Sequence, residues 1–599
     1  MLEAGDLGRT VALATDGGVD ATHWAVSNGI VSETVAFRAL ADRLALPFVD
    51  DPSPAIVPDV LPNRRNFERL VRNRRLRDGC GLIAPSDEQA TMWEDRLRTD
   101  PGLRERLRVT TPTASRAALT RDLERLLMDE AVDGLATRAP GASAKHLGRE
   151  GGKTLAVALG VLAVLLLLPS GLWPGESGRV INTSVSLVFA LFVLARLAIA
   201  LETNTRARST EIERLPPPSP DATLPFYTVL VALYREGNQV RDLVAALDAL
   251  DWPRARREIV LVCEKDDAGT LDALAQLVLP PDMRVVAVPP GEPRTKPKAL
   301  NFALPTCRGD IVVLYDAEDR PDPWQLREAH AAFEAALEEG GERLACVQAP
   351  LHIANSTAGP LPKLFAAEYS ALFDSLLPAL ADRGGPVPLG GTSNHFRRAA
   401  LDACGAWDGW NVTEDADLGI RLARNGWRID TIARATREEA PAYLRPWITQ
   451  RTRWFKGWMQ TWLVHMRRPA RLWRDLGPRA FGNFHLFVTG MLVSALVHPL
   501  LVASLVVHGG SAAWFGWAGP ESAWHRALIS LDAAVIAWGY LAFAIAGWRT
   551  MGLRGLVHLR PWLILVPIYW LLMSFAAWRA LWQLQTAPSK WEKTPHGLS

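Results

Sequence analysis

The chain has 599 residues, 49% of them hydrophobic, and 66 Lys and Arg against 64 Asp and Glu leave a formal net charge of +2. A charge so near balance, with no Lys/Arg block, excludes a nucleic-acid partner. The apolar share excludes a wholly soluble protein of ordinary composition and calls for membrane spans. The five cysteines, Cys80, Cys263, Cys307, Cys346 and Cys404, form no C-x-x-C pair, which excludes a zinc site or a disulfide framework.

The first 144 residues read as a soluble module. No basic region precedes an apolar core there, so no cleavable signal peptide is expected. Val35, Leu40, Leu44 and Leu46 stand near helical spacing and predict an amphipathic helix over 34–46. Short strands are expected at 47–49, 80–84 and 107–109, and Ser86-Asp87-Glu88 opens another helix with acid in its first turn. Such alternation predicts a small α/β or α+β domain. The stretches Ala39 to Val49 and Gly81 to Asp87 resemble the N-terminal domain of type II secretion ATPases. Some domains of that family bind cyclic dimeric GMP, which the resemblance implies as a regulator. The Arg-Leu-Gly start of their binding helix is not found here, and the plainer expectation is a docking or stabilising domain.

Two apolar runs follow, 154–173 and 180–201, each about the twenty residues that cross a bilayer. A turn-like link at 174–179 makes them a hairpin within 153–201. Lys145, Arg149 and Lys153 before it, and Arg206 and Arg208 after it, predict that both ends lie in the cytoplasm. Arg196, near the inner end, is expected to snorkel out. A proline-rich stretch at 215–220 reads as a stiff linker.

Residues 223–440 form a second soluble domain. Strands are predicted at 226–232, 258–263, 283–288 and 310–315, with helices at 240–250, 270–278 and 324–339. Continuous apolar strands separated by helices predict a mostly parallel sheet covered on both faces, and such sheets take ligands at the carboxyl ends of their strands. Beyond Pro446 the chain turns aromatic and basic. Residues 447–473, within 446–475, read as a helix at the membrane interface. Three further spans are expected at 481–507, 528–548 and 561–582, within 481–585, followed by a tail, 586–599. A strict count from a cytoplasmic catalytic domain puts that tail outside, whereas Arg579, Lys590 and Lys593 suit a cytoplasmic one.

Three acidic sites carry the chemistry: Glu264-Lys265-Asp266-Asp267 and Asp316-Ala317-Glu318-Asp319, each at a strand end, and Glu414-Asp415, expected to reach the same edge. One such cluster is ordinarily a solvated loop. Three of them, with Gln450, Arg453 and Trp454 downstream, fit sugar transfer from a nucleotide diphosphate. Asp316 and Glu318 would hold a hard divalent cation, Mg2+ or Mn2+, against the leaving diphosphate. Asp266 or Asp267 would accept a pyrimidine N–H. Asp415 would be the base for the acceptor hydroxyl. Arg453 would bind the diphosphate, and Trp454 would stack on a sugar ring.

The ordered set resembles membrane-embedded family 2 glycosyltransferases of the cellulose synthase and hyaluronan synthase type, over residues 226–462. Val231 to Glu236 resembles that family's first strand and nucleotide-touching turn, which implies Glu236 at the donor. Asp266-Asp267 matches its first Asp site. Thr295-Lys296-Pro297-Lys298-Ala299-Leu300-Asn301 resembles its Lys-Ala-Leu-Asn element, which implies Lys298 or Lys296 on donor phosphates. Asp316-Ala317-Glu318 takes the place of Asp-x-Asp, with Glu where Asp is usual and Asp319 as a substitute. Thr413-Glu414-Asp415 is similar to the family's Thr-Glu-Asp, whose Asp is the base. Gln450-x-x-Arg453-Trp454 looks like the Gln-x-x-Arg-Trp signature of processive synthesis, with Glu414, Gln450 and Trp454 toward the acceptor. His395, in a loop resembling the one under the acceptor, is as readily a packed structural histidine. The sequon at Asn411 reads as chance.

The resemblance implies an α/β GT-A (Rossmann-like) domain set between transmembrane helices, and an inverting transferase with a UDP-sugar donor and a glycan acceptor. It implies processive extension of a β-linked polysaccharide and its export. A secretion-ATPase-like N-terminus joined to such a domain is also similar to the phage-adsorption protein B group. That implies a multi-pass protein of the bacterial inner membrane with a cytoplasmic catalytic domain and an outer-membrane or periplasmic export partner. The alternatives are single-sugar transfer to a lipid or glycan, and a signalling scaffold with a disabled transferase fold.

Overall fold

The computed structural model describes residues 4–147, 176–202, 220–338, 340, 343–514, 523–588 and 592. The predicted span at 154–173, most of the 215–220 linker and most of the tail lie outside these residues.

In the N-terminal module the helix α1 (Glu33–Leu44) starts at Ser32, whose hydroxyl accepts from the Val35 amide. Strands β1 (Asn73–Arg75) and β2 (Gly81–Ile83) pair antiparallel. Helix α2 (Asp87–Thr99) opens with reciprocal bonds between Ser86 and Gln89, as Ser86 followed three residues later by Gln requires. Strand β3 (Leu107–Val109) pairs parallel with β2. The strand expected at 47–49 is a single bridge from Phe48 to Val109. Pro47 can accept a ladder bond but has no N–H to donate, so the pairing goes no further. Helix α3 (Glu124–Arg138) closes the module.

The next helix, α4 (Glu176–Glu202), covers the span expected at 180–201. The second domain then builds its sheet from β4 (Tyr227–Leu233), β5 (Arg257–Glu264) and β6 (Met283–Val288), crossed by helix α5 (Lys296–Ala303), and from β7 (Ile311–Tyr315). A short β8 (Arg320–Pro321), β9 (Leu344–Gln348) and β10 (Leu351–Ile353) lead to helix α6 (Pro360–Ala371). Then come β11 (Asn394–Arg397), helix α7 (Glu414–Arg424), β12 (Arg428–Thr431) and β13 (Thr436–Glu438). The seven-stranded sheet has the order β12-β9-β11-β7-β4-β5-β6. Strands β4 to β7 are parallel, and β11 runs antiparallel between β7 and β9. Every residue of β5 and β7 is buried, as continuous Ile/Val/Leu runs under two helical layers demand. A smaller sheet, β10-β13-β8, brings the end of β13 beside the turn after β7.

The helix expected over 447–473 is two. Helix α8 (Leu444–His465) stops at His465, and a second helix starts at Pro469, a residue suited to a first turn because it needs no amide partner. Helix α8 does not lie at a surface: Trp447, Arg451, Thr452 and Lys456 are all at most 2% exposed. Helices α9 (Gly490–Trp514), α10 (Ala523–Met551) and α11 (Val566–Thr586) follow. Pro360–Asp382, Pro469–Ala503, Ile529–Arg554 and Val557–Thr586 are long and apolar enough to cross a membrane. The first has 67% of its apolar window buried, so its apolar residues serve the core. The third has 22% buried, as a lipid-facing helix requires.

The N-terminal module shares the second domain's core. Leu123, just before α3, and Leu127 and Ala131 of α3 pack in one cluster with Ala299, Phe302 and Trp407. Polar contacts fasten the rim. Asp408 accepts from Ser143 Oγ at 2.9 Å and the Ala144 amide at 2.6 Å, and Trp410 Nε1 donates to Val132 O at 3.1 Å. Arg64 donates to Arg308 O and Gly309 O. Burial, then Asp417, pushes the Asp408 carboxyl up to about 6.

Candidate active site

One cavity of about 760 Å3 joins the carboxyl edge of the sheet to the long apolar helices. At the sheet end it is lined by Glu236, Lys296, Asp316, Glu318, Glu414 and Asp415. The three acidic sites therefore do not contribute equally. Asp316, Glu318 and the Glu414–Asp415 pair face the cavity, and of the first site Glu264 alone lines it. Asp267 instead caps the helix after β5 and accepts from the Arg235 amide at 2.5 Å, which holds Arg235 at a positive φ of 56° and turns Glu236 inward. Asp266 pairs at the rim with Arg294, which does line the cavity. Lys296 lies at the centre, 2.5 Å from Asp316 and bonded to Gly391 O at 2.6 Å. Lys298, two residues on and so on another face of α5, is 0% exposed and pairs with Glu264 at 2.7 Å. Lys296 rather than Lys298 is the lysine that lines the cavity. Asp319 points away from the cavity, where Thr392 and the Asp316 amide donate to it, so it does not stand in for Glu318.

Asp415 starts α7 with Glu414, where the helix N-terminus favours negative charge. Its Oδ1 accepts from the indole N–H of Trp407 at 3.2 Å, and the Trp407 backbone is held by Asn301. Burial, then Glu414, pushes its carboxyl well above the usual range, against the pull of Lys296. Asp417 pairs with Arg421 at 2.7 Å and with His465 at 3.1 Å, tying α7 to α8. His395 is buried between Tyr227 OH and Gln325, and burial lowers its pKa to about 3: it is a packed structural histidine.

Helix α8 supplies the wall opposite. Arg453 faces Glu414, Asp316 and Glu318. Trp454 stacks on Tyr369, with ring centroids 6.3 Å apart and planes 16° apart. The buried Oε1 of Gln450 has no hydrogen-bond partner among the described residues. The spacing of Gln450, Arg453 and Trp454 gave no signal for Arg451, yet Arg451 underlies the wall. It is 4.5 Å from the Trp454 ring centroid, three residues away on the same helical face, and donates to Glu368 at 2.6 Å and to Tyr569 OH. Glu438, at the end of β13, was also missed; nothing in its local sequence marks it as facing this cavity.

The two motif segments touch at Gly457, where a Cβ would lie 2.2 Å from Thr413 Oγ1. Gly457→Ala must therefore drive α8 off the Thr413 turn. We expect a loss of about 1–3 kcal/mol by thermal melting, with a fall in kcat. An unchanged melting temperature would mean that the two segments are not packed together.

Residues 225–457 match the model of the family "Glycosyltransferase like family 2". That segment is a family 2 glycosyltransferase domain. The chain is 29% identical over 287 residues to the Beta-monoglucosyldiacylglycerol synthase of Trichormus variabilis, covering 47% of this chain and 59% of the relative. It is 27% identical over 421 residues to the enzyme of the same name from Synechocystis sp., covering 67% of this chain and 82% of that one. The chain thus spans less than two thirds of the first relative's length. Among solved structures it is similar to a mannosyltransferase from Pyrobaculum calidifontis in complex with GDP-Man and Mn2+. The identity is 20%, the coverage 63% of this chain and 98% of that one, and the TM-score 0.39.

The donor set of the transferase domain fits a hard cation. Burial, then Asp316, pushes the Glu318 carboxyl up to about 8, so the pair is short of positive charge. Among the described residues no three His, Cys, Asp or Glu side chains gather into a metal cluster. A magnesium-type ion bound by one or two carboxylates, with donor oxygens and water completing its shell, needs no more.

Proposed function

We propose that this protein transfers a sugar, with inversion, from a nucleotide-diphosphate donor of the UDP type to a hydroxyl of a lipid acceptor held in the membrane. The observation that carries the reading is the single cavity. Its sheet end has the acids, Lys296 and Arg453; its other end is lined by Phe189, Met491, Ile536, Phe543 and Met573 from membrane helices. An apolar cavity of this kind suits acyl chains and offers few partners to a glycan. The names of the relatives, synthases of a monoglucosyldiacylglycerol, support the same class of acceptor.

In this reading Asp316 and Glu318 would hold a divalent cation, which supplies charge neutralisation at the leaving diphosphate. Lys296 and Arg453 bind and orient the diphosphate. The Asp415 carboxylate takes the proton of the acceptor hydroxyl as its oxygen forms the bond to the anomeric carbon and the bond to the diphosphate breaks. Trp454 and Tyr369 form a shelf for a sugar ring, and the orphan Gln450 Oε1 accepts from a hydroxyl. A bacterial inner-membrane, multi-pass placement with the domain in the cytoplasm goes with this reading.

A second reading, processive extension and export of a β-linked polysaccharide, is favoured by Gln450, Arg453 and Trp454 standing together in the wall. One experiment separates the two. The purified protein is given UDP-sugars with Mg2+ or Mn2+ and lipid or oligosaccharide acceptors, and released UDP and product length are measured. Discrete lipid products carrying one sugar are expected; a ladder of long glycans would sink the lipid reading.

A further inference from the structure

In the membrane half of the cavity, among the described residues, one charged lining side chain has no ionic partner, since Glu368 and Arg451, which also line it, pair with each other. Along α4 the lining residues are Phe189, Val193, Arg196, Ile199 and Ala200, at helical steps of one face. The residues turned outward are Leu187, Val188, Leu191, Leu194 and Leu201. Arg196 thus lies on the cavity stripe and not on the lipid face, so the snorkelling expected from the sequence does not describe it. No carboxylate among the described residues pairs with it. Glu202, about 9 Å further along the helix axis, is engaged by Arg383. Glu368, the cavity acid outside the sheet end, is engaged by Arg451 and Tyr569. The polar groups deeper in the cavity are neutral partners of one another, with His498 Nε2 2.6 Å from Tyr540 OH.

A guanidinium in apolar, membrane-depth surroundings, with no ionic partner among the described residues, is costly unless an anion joins it. The cavity therefore combines acids and the transfer chemistry at the sheet edge, the Trp454–Tyr369 shelf, one cation without an ionic partner among the described residues, and an apolar wall. We propose that this pattern is a binding site for a phosphate-bearing lipid, with its phosphate on Arg196, its acyl chains along the apolar wall and its hydroxyl-bearing head reaching past Trp454 to Asp415. The proposal rests on the lipid-acceptor reading above and narrows it. The planar fork of arginine matches phosphate oxygens in two parallel bonds. The phosphate is a handle and not the nucleophile. The head hydroxyl loses its proton to Asp415 and bonds to the anomeric carbon, and the nucleoside diphosphate departs.

The test uses the full-length protein in detergent with a UDP-sugar that it accepts. Phosphatidylglycerol is compared with diacylglycerol and with a neutral monoglucosyldiacylglycerol, reading radiolabelled lipid product and acceptor KM. The expected result is a KM for phosphatidylglycerol about tenfold or more below that of either neutral lipid. Arg196→Gln should abolish the difference, and Arg196→Lys, which keeps the charge, should retain most of it. Neutral lipids used at an equal or lower KM, or a preference surviving Arg196→Gln, would overturn the phosphate site and leave the lipid reading standing. Transfer to oligosaccharide with none to any lipid would overturn both. Inorganic phosphate competing as strongly as phosphatidylglycerol would show an anion site without a lipid requirement, and would also overturn the proposal.

Discussion

Asp415→Asn is expected to lower kcat by about 10²–10⁴-fold, the usual worth of a positioned general base. The substitution keeps the side chain's size and can still accept the Trp407 indole N–H, so a large loss would report the missing carboxylate and not a collapsed turn. Nucleoside diphosphate released in the presence of acceptor measures it. Activity within a few-fold of the parent would remove Asp415 from the chemistry. The pH dependence follows from the same surroundings. Burial and Glu414 raise the Asp415 carboxyl, so below its raised pKa it is protonated and cannot take a proton. The acid limb of kcat/KM should therefore lie above the ordinary Asp value of about 3.9. Trp407→Phe, which deletes a donor that favours the ionised form, should move that limb higher still.

The second large effect concerns stability. Lys298→Met leaves Glu264 in a buried site without its cation, and breaking a buried pair from one side costs about 3–5 kcal/mol. We expect a marked fall in melting temperature and an unchanged donor KM in the folded fraction. Lys296→Met should do the reverse: a modest stability change, with donor KM raised about tenfold through loss of a charge-assisted contact. A raised donor KM for Lys298→Met without a melting change would return Lys298 to the donor phosphates.

The contrast between these two lysines marks how much of the site was legible. Both fall in one short element, and the resemblance that picked out the element could not say which lysine points outward. That depends on where α5 sits between the sheet and α3, a matter of packing between segments far apart in the chain. The acids followed the same rule. Asp316, Glu318, Glu414 and Asp415 were readable as candidates because carboxylates beside apolar strand ends are costly without a purpose. That Asp267 serves the turn at Arg235, and Asp319 its own loop, is a matter of hydrogen bonds no local pattern encodes. Arg451 and Glu438 left no mark at all, since each acquires its place from partners on other elements.

By itself the sequence determined the alternation of apolar strands and helices, the membrane-length runs after residue 480, the Ser86 helix start and the ordered set of acids, lysines and the Gln450–Trp454 element. These are local facts: period, length, charge and spacing fix them before any folding. The tertiary structure alone decided that the N-terminal module shares the transferase domain's core. It also decided that α8 is buried, and that Gly457 lets α8 close on the Thr413 turn. Above all it decided that the acids and the long apolar helices open on one cavity with Arg196 in its wall. Those are contacts between distant segments, selected by close packing and by the cost of leaving charge unpaired away from water.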